Sequence, residues 1–505
     1  MSRHCGRLWG IWALLLALAL AACARPAAPV SVPPAERSAI AGRLMQDITT
    51  LASDEFGGRK PGTIGEARTL SYLTARMQEI GLVSGTNDPG SPWRAPVQLV
   101  ATLPQTSRIA FGNGQRPFVV PSEAGFAITP RRRELAQGGP ATGVDVLLVG
   151  EEMADLTRDD VAGSVIILLA RQSDAAAQRA ALFEMDAGAV LTIVSDAAAL
   201  AQIRGEYSEE RVRLLGDEAN TLSAFITEAA IEQALGAARW AGLKQQALAQ
   251  GPVALEVSLS IEANSQRREF VSHNLIGMIP GKSSSSGAVL LLAHWDHLGE
   301  CGPPDAEDRI CNGAIDNASG VAVMLELARR LKAGPALDRD IFVLATTAEE
   351  VGLLGARAFA AAPPVPLDQI IAAFNFDTVA VAPAGAPVGI VGRGRTPFEP
   401  IVLEHLTKTR RVLGNRDFAE SFLARQDGWA LLQQGVPTVL ISSAFASREI
   451  LGPYLKRDYH SASDTSDKIE LGGAIDDLLL HEAVIRQLGD AARYQPPSAL
   501  VDPQP

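Results

Sequence analysis

Ala288-Val289-Leu290-Leu291-Leu292-Ala293-His294-Trp295-Asp296-His297 is the stretch on which the fold turns. Its six leading apolar residues are too few for a helix and read as a strand buried on both faces. A polar cluster follows at once where that run stops. Downstream, Asn317 is placed to cap a helix that carries Val321, Met324, Leu325, Ala328 and Leu331 on one face. Asp340 to Thr346, Ile370 to Phe376 and Val436 to Ile441 read as further strands. This βαβ alternation predicts an α/β fold whose mostly parallel central sheet is covered on both faces, a three-layer α/β/α sandwich.

Ligands of open α/β sheets bind beyond the carboxyl ends of the strands, where loops bring distant residues together. Five short clusters fall at or near such ends. They are His294-Trp295-Asp296-His297, Gly313 to Gly320, Glu349 to Gly355, Asn375-Phe376-Asp377 and Tyr459 to Thr465. Each alone has a bland reading: a surface pair, a turn with a helix cap, a solvated Glu-Glu, a polar strand end, a loop histidine. Their joint occurrence, in order and in one αβ-alternating segment, is what points to chemistry. His nitrogen and carboxylate oxygen are zinc ligands, and two zinc ions side by side need a carboxylate between them.

The wording of these clusters, "AHWDHLG", "NGAIDNASG", "TTAEEVGLLGA", "NFD" and "YHSASDT", resembles the zinc exopeptidase family that includes bacterial leucyl aminopeptidases and glutamate carboxypeptidase II. "LASDEFGGRKPGTIGEA" at residues 51–67 resembles that family's N-terminal segment. The resemblance implies a zinc-peptidase (phosphorylase/hydrolase-like) fold, two Zn2+ and a peptide substrate. It implies that Asp316 bridges the metals, that His294 and Asp377 complete one site, and that Glu350 and His460 complete the other. Glu349 is then the general base for water attacking a terminal peptide bond. Asp296 orients His294, Asp464 supports the His460 loop, and His297 matches a position that is not a ligand. Ala424-Arg425-Gln426-Asp427-Gly428 departs from the family pattern, in which a histidine is common there; Asp427 is kept. An aminopeptidase is the expectation. A carboxypeptidase would need an arginine cluster, for which Arg309, Arg357, Arg393, Arg395 and Arg425 are candidates, each of which also reads as a solvated surface residue. Aminoacylase-like or cyclase-like zinc enzymes and a non-catalytic binding protein on the same fold are the competing readings. Retention of all five ligands and the base argues against the last.

The remaining sequence sets the organisation. At 505 residues the chain predicts two or three domains. Its net charge of −12 argues against a nucleic-acid partner. Arg3 and Arg7 precede the apolar run Ile11–Leu20, which reads as a signal peptide over residues 1–22. Leu20-Ala21-Ala22-Cys23 resembles the bacterial lipobox, which implies acylation of Cys23 and a membrane anchor. With Ala rather than Asp at position 24, the usual sorting pattern points to the outer membrane, on the periplasmic side. A Pro- and Ala-rich linker over 23–37 follows. Cys5 leaves with the signal, so Cys301 and Cys311 remain as an even pair in an oxidising compartment and read as a disulfide, with a pair of zinc thiolates as the alternative. Residues 38–105 and 252–495 read as the catalytic domain and 496–505 as a tail. Between them, 106–251 reads as an α/β or β-rich insert whose strand and glycine order resembles a protease-associated domain. Thr63-Ile64-Gly65-Glu66 has the form of a capping box opening a helix that stops at Gly81.

Overall fold

The computed structural model describes residues 32–112, 116–170, 173–217, 221–303 and 305–497. The expected signal peptide, Cys23 and most of the tail lie outside them. Among the described residues, no helix is long and apolar enough to cross a membrane.

Four parallel strands form the centre of the larger sheet, in the order Thr438–Ser442, Ile370–Asn375, Ala288–His294, Asp340–Thr346. Every residue of Ala288–His294 is buried, as the uninterrupted apolar run requires. Alternate side chains serve opposite faces. Val289, Leu291 and Ala293 pack with Leu325, Leu478 and Leu488 of the helices Gly320–Ala333 and Leu471–Leu488. Leu290 and Leu292 pack on the other face with Phe359 and Leu431 of Leu354–Ala361 and Gly428–Leu432. The three-layer α/β/α arrangement is therefore present. Antiparallel neighbours extend the sheet at both ends: Gly389–Val391 beyond Thr438–Ser442, and Leu259–Ile279 beyond Asp340–Thr346.

Leu259–Ile279 and Arg94–Phe111 are long strands, paired antiparallel from Leu259/Phe111 to Leu275/Arg94 with one irregularity at Asn264/Ser265. This ribbon serves two bodies. Its 275–279 end pairs with the central sheet, and its 259–264 end pairs with Arg133–Gly138 in the inserted segment. A second sheet there runs Val253–Ala254, Val146–Val149, Val165–Leu168, Ala189–Val194, Ser223–Thr227, Gly125–Ile128, with its four middle strands parallel. It has its own core, including Leu148, Ile167, Leu191, Ile226 and Trp240. The boundary expected at 105/106 lies inside the first strand of the ribbon.

The helix expected from Thr63 runs Ile64–Ile80, with the Thr63 side chain accepting from the Gly65 amide and Gly81 closing it at φ 85°. The expected capping box is only half formed. The Glu66 carboxylate accepts from the Gly62 amide at 2.6 Å instead of returning to Thr63.

Candidate metal centre

His294 is the last residue of its strand, and its ring is carried into the carboxyl-end crevice. Its Nε2 lies 3.2 Å from Asp316 Oδ1, 3.5 Å from Asp377 Oδ1 and 4.0 Å from Glu349 Oε2. Asp377 follows the neighbouring strand Ile370–Asn375 and Glu349 follows Asp340–Thr346, so three adjacent parallel strands each deliver one group. Asp316 arrives from the turn before helix Gly320–Ala333. Its second oxygen, Oδ2, is 3.4 Å from His460 Nε2, and that nitrogen is 2.9 Å from Glu350 Oε2. Asp316 thus stands between a His294/Asp377 pair and a Glu350/His460 pair. His294, Asp316 and Glu350 bring ligand atoms within 4.8 Å of one another, as do His294, Glu349 and Asp377. The second grouping places Glu349 closer to His294 and Asp377 than its expected role as base alone requires.

The supports are local and mostly buried. Both oxygens of Asp464 accept backbone amides, from Ile315 at 2.9 Å and Asp316 at 3.0 Å, and Tyr454 donates its hydroxyl to the same carboxylate. Asp464 therefore fixes the Asp316 turn as well as its own loop. Asn317 Oδ1 accepts from the Gly320 amide, capping the helix as expected, while its Nδ2 donates to Phe376 O beside Asp377. Ala348, Thr378 and His460 adopt positive φ values of 53°, 50° and 56°. Such backbone is uncommon for residues with a Cβ, and it concentrates at functional loops. Gly313 has φ 57°, and a Cβ there would come within 2.6 Å of the His297 ring.

Two expectations are altered in detail. Asp296 meets His294 Nδ1 with its backbone oxygen at 3.2 Å, its carboxylate Oδ1 standing at 3.9 Å. That carboxylate instead accepts the Glu349 amide at 3.1 Å, so it positions the Glu-Glu turn. His297, which the resemblance leaves without a ligand role, has Nδ1 2.6 Å from Glu350 Oε1. Sequence reasoning missed Arg59 altogether. This fully buried guanidinium donates to the carbonyls of Trp295, Leu51 and Gly313 at 2.8–2.9 Å, and to that of Asn312. Its only sequence signal is its place within "GGRKPGT". Cys301 and Cys311 form a disulfide with Cα atoms 5.8 Å apart, and Cys301 Sγ lies 3.5 Å from the His460 carbonyl.

The donor set fits a cation. Burial, together with Asp377, Asp427 and Glu350, pushes the Glu349 carboxyl well above its usual range, against the pull of His294. Burial first, then Glu350 and Asp427, raises Asp296 to about 7, and burial with Asp377 raises Asp427 to about 6. Burial likewise opposes charging of Arg59, whose pKa falls to about 10, yet Asp464, Asp316, Asp296 and Glu350 still favour its charged form. Against the cost of burial, the surrounding carboxylates also raise His294 well above its usual range and His460 to about 10; even so, one guanidinium and two imidazoles carry less charge than the carboxylates gathered here, and buried charges must be paired or bound to metal. Among the described residues, His297 Nε2 and Asp296 Oδ2 moreover are buried without a hydrogen-bond partner. Imidazole plus carboxylate is the donor chemistry that zinc takes.

Beside the carboxylates opens a cleft lined by Asp316, Glu349, Asp377 and Thr378 together with the apolar Phe422, Phe445, Leu451 and Leu455. Arg425 and Gln426, from the segment that departs from the family pattern, also line it.

Comparison with known proteins bears on the same segment. The chain is 36% identical over 105 residues to "Aminopeptidase YwaD" of Bacillus subtilis, covering 21% of this chain and 20% of that protein. It is 28% identical over 354 residues to "Probable lipoprotein aminopeptidase LpqL" of Mycobacterium tuberculosis, covering 66% of this chain and 57% of that one. The matches thus span well under two thirds of these relatives. An aminopeptidase structure from Aneurinibacillus sp. strain AM-1 superposes with a TM-score of 0.54 at 19% identity, over 92% of this chain and 96% of that one, which establishes the shared fold. The model of peptidase family M28 matches residues 274–478, the stretch that holds His294, Asp316, Glu349, Glu350, Asp377 and His460, so it is this segment of the chain that is similar to that family.

Proposed function

We propose that the chain is a two-zinc aminopeptidase that removes single residues from the amino end of peptides. The observation that carries this reading is Asp316. Its two oxygens face His294 on one side and His460 on the other, with Asp377 and Glu350 completing the two sets. His294, Asp316 and Asp377 would hold one ion; Asp316, Glu350 and His460 would hold the other. Bound there, zinc supplies Lewis acidity, which polarises a carbonyl and lowers the pKa of water towards 7.

The protein's own groups do the rest. Glu349 stands at the cleft with its backbone amide held by Asp296. Its carboxylate takes a proton from the attacking water and returns it to the leaving amine, a contribution of roughly 10²–10⁴-fold. His297 holds Glu350, and Asp464 holds the Asp316 turn, so the ligand atoms stay in place while substrate comes and goes. The carboxylate wall of the cleft suits a substrate ammonium. Its Phe and Leu wall suits an apolar side chain on the residue being removed. The YwaD and LpqL relatives carry aminopeptidase in their names, which supports this direction of cutting over the carboxypeptidase alternative. The LpqL name, which includes the word lipoprotein, also supports the reading of Cys23 as a lipid anchor; its place on the periplasmic side of the outer membrane is proposed from Ala24 alone. The inserted segment keeps its reading as a protease-associated domain on the order of its strands.

Metal analysis beside hydrolysis of leucyl-nitroanilide and of N-blocked dipeptides tests the proposal. The expectation is about two zinc per chain, as the two ligand sets require, with cleavage of the nitroanilide alone. Glu349→Gln should keep the metal and lose roughly 10²–10⁴-fold in kcat. Well-folded protein without metal or hydrolysis would leave a binding role in place of the enzyme.

A further inference from the structure

The second sheet, in the inserted segment, has a cavity of its own. It opens beyond the carboxyl ends of the strands Val165–Leu168, Ala189–Val194 and Ser223–Thr227. Open α/β sheets take their ligands at such ends. Successive residues of Ala189–Val194 serve opposite faces. Val190 and Val194 pack on one face, with Leu182 and Leu200 of the helices Ala175–Glu184 and Ala197–Glu206. Leu191 and Ile193 pack on the other, with Ile231 and Trp240 of Glu228–Leu235 and Ala237–Gln250. The cavity wraps the strand end and is lined from both faces. Its volume, about 290 Å³, stands at the small end of the range for ligand sites, which begins at roughly 300 Å³.

One buried polar group faces this cavity without a partner. Thr192 is 2% exposed and lines the cavity, and among the described residues its Oγ1 has no hydrogen bond. A buried hydroxyl left so is costly, and native structures keep few of them. Thr192 is in register with Phe225 of the neighbouring strand, and Arg179 lies over that ring, its guanidinium carbon 4.9 Å from the centroid. Arg179 lines the cavity and, among the described residues, forms no ion pair. From the opposite face comes Glu228. Its Oε1 accepts from Trp240 and Lys244, at 3.2 and 2.6 Å, which leaves Oε2 to a further donor. Arg179 and Lys244 against Glu151 and Glu228 make the lining neutral as a whole. The rest of the wall is largely apolar, with Leu169, Val194, Ile203 and Leu248, the last of them 51% exposed.

We infer that this cavity binds a free α-amino acid with an aliphatic side chain. A neutral lining whose charges stand apart disfavours a guest of net charge and suits a zwitterion. Arg179 and the Thr192 hydroxyl hold its carboxylate, a planar guanidinium being the group best suited to one. Glu228 holds its ammonium, and Val194, Ile203 and Leu248 cover its side chain. The volume matches one residue rather than an extended peptide. All of these groups belong to the inserted segment, so the site is separate from the candidate metal centre. The binding does not depend on what that centre does. Where it works as an aminopeptidase, the guest is of the class it releases, and the insert is a place at which released product binds.

Calorimetric titration of the zinc-loaded chain with L-leucine tests this, beside L-leucinol, which lacks the carboxylate, and N-acetyl-leucine, which lacks the ammonium. Leucine should bind, with and without a chelator, and each analogue should bind roughly ten- to hundredfold more weakly, the worth of a hydrogen-bonded charge. Arg179→Gln should weaken leucine binding by a similar factor and Thr192→Val by about tenfold. Both should leave leucyl-nitroanilide turnover unchanged. Thr192→Val is nearly isosteric and removes an unpartnered hydroxyl, so its thermal midpoint should not fall. Leucine held only at the metal centre would be lost on chelation and unmoved by either substitution, which overturns the inference. Absence of binding at millimolar leucine overturns it too, as does equally tight binding of either analogue. Failure of nitroanilide hydrolysis overturns the aminopeptidase reading instead, and leaves the leucine titration to decide this site.

Discussion

Arg59 shows what a single residue contributes beneath the candidate metal centre. Four carbonyls, from Leu51, Trp295, Asn312 and Gly313, converge on one guanidinium. They belong to the N-terminal segment and to the loops that carry Asp296 and Asp316, so Arg59 ties three separate stretches together. Replacing it with Met removes every donor and leaves buried acceptors without partners. Each such acceptor costs about 1–3 kcal/mol, and breaking a buried charged network costs about 3–5 kcal/mol in all. Arg59→Met should therefore lower unfolding stability by about 3–5 kcal/mol, read by urea titration; a loss below about 1 kcal/mol, the size of an ordinary surface effect, would refute this account. Beyond its place within "GGRKPGT", nothing in the sequence marks Arg59, because its partners are backbone atoms and carry no residue type. The groups of the candidate metal centre were legible for the opposite reason. His294, Asp316, Glu349, Glu350, Asp377 and His460 sit at ends of apolar runs or in polar loops, where side-chain chemistry is written in the letters themselves. The contact of His297 with Glu350 was hidden, since it depends on how two loops meet.

Helix Leu471–Leu488 carries a buried titratable group into the same layer. His481 packs against Phe374 and Phe376, the strand and strand end that lead to Asp377, with ring centroids 5.5 and 4.8 Å away. Its Nδ1 lies 2.7 Å from the Asp477 carbonyl one turn back, while its Nε2 is buried without a partner. Burial lowers its pKa from 6.5 to about 4, with the nearby Arg411 adding to the effect and the Asp477 carbonyl opposing it. The sign follows. In the unfolded chain His481 gains its proton near pH 6.5, but in the fold only near pH 4, so the unfolded state binds more protons in between. The stability that the neutral ring contributes is intact above about pH 6.5 and is lost as pH falls towards 4, by an amount on the order of 3 kcal/mol. His481→Leu keeps the apolar contacts and removes the proton site. Its thermal midpoint should fall less between pH 7 and pH 4.5 than that of the parent, and parallel curves would show that other groups govern acid stability. Elements of this kind were readable from period and caps: the run Ala288–Ala293, the Asn317 cap and the Gly81 stop all needed only local chemistry. The half-formed capping box at Thr63 was not, because Glu66 is drawn towards the Gly62 amide and His273, and the latter lies far along the chain.

At the scale of the whole molecule, the ribbon of Arg94–Phe111 and Leu259–Ile279 decides how the two bodies communicate. The sequence showed a change of texture between 106 and 251. It could not show that the junction is continuous paired strand, because a strand crossing two cores has no period different from a strand within one. The cores themselves are separate. Leu275 belongs to the one around the central sheet, and Leu259, Ile261 and Ala263 to the one in the inserted segment. All six groups of the candidate metal centre hang from the central sheet and its loops. Metal that binds only the folded state stabilises by RT ln(1 + [L]/Kd), about 2.7 kcal/mol at a hundredfold excess over Kd, and only the cooperative unit that holds the ligands gains it. Scanning calorimetry should accordingly show two transitions, as separate cores allow. A chelator should lower one and leave the other in place, and added zinc should restore the first. One transition that moves as a whole would mean that the ribbon fuses the two cores into one cooperative unit. In that case the strand Arg211–Leu214, whose Val212 and Leu214 pack with Ala348 and Leu354 on either side of the Glu349-Glu350 turn, would be stabilised by the metal together with that turn.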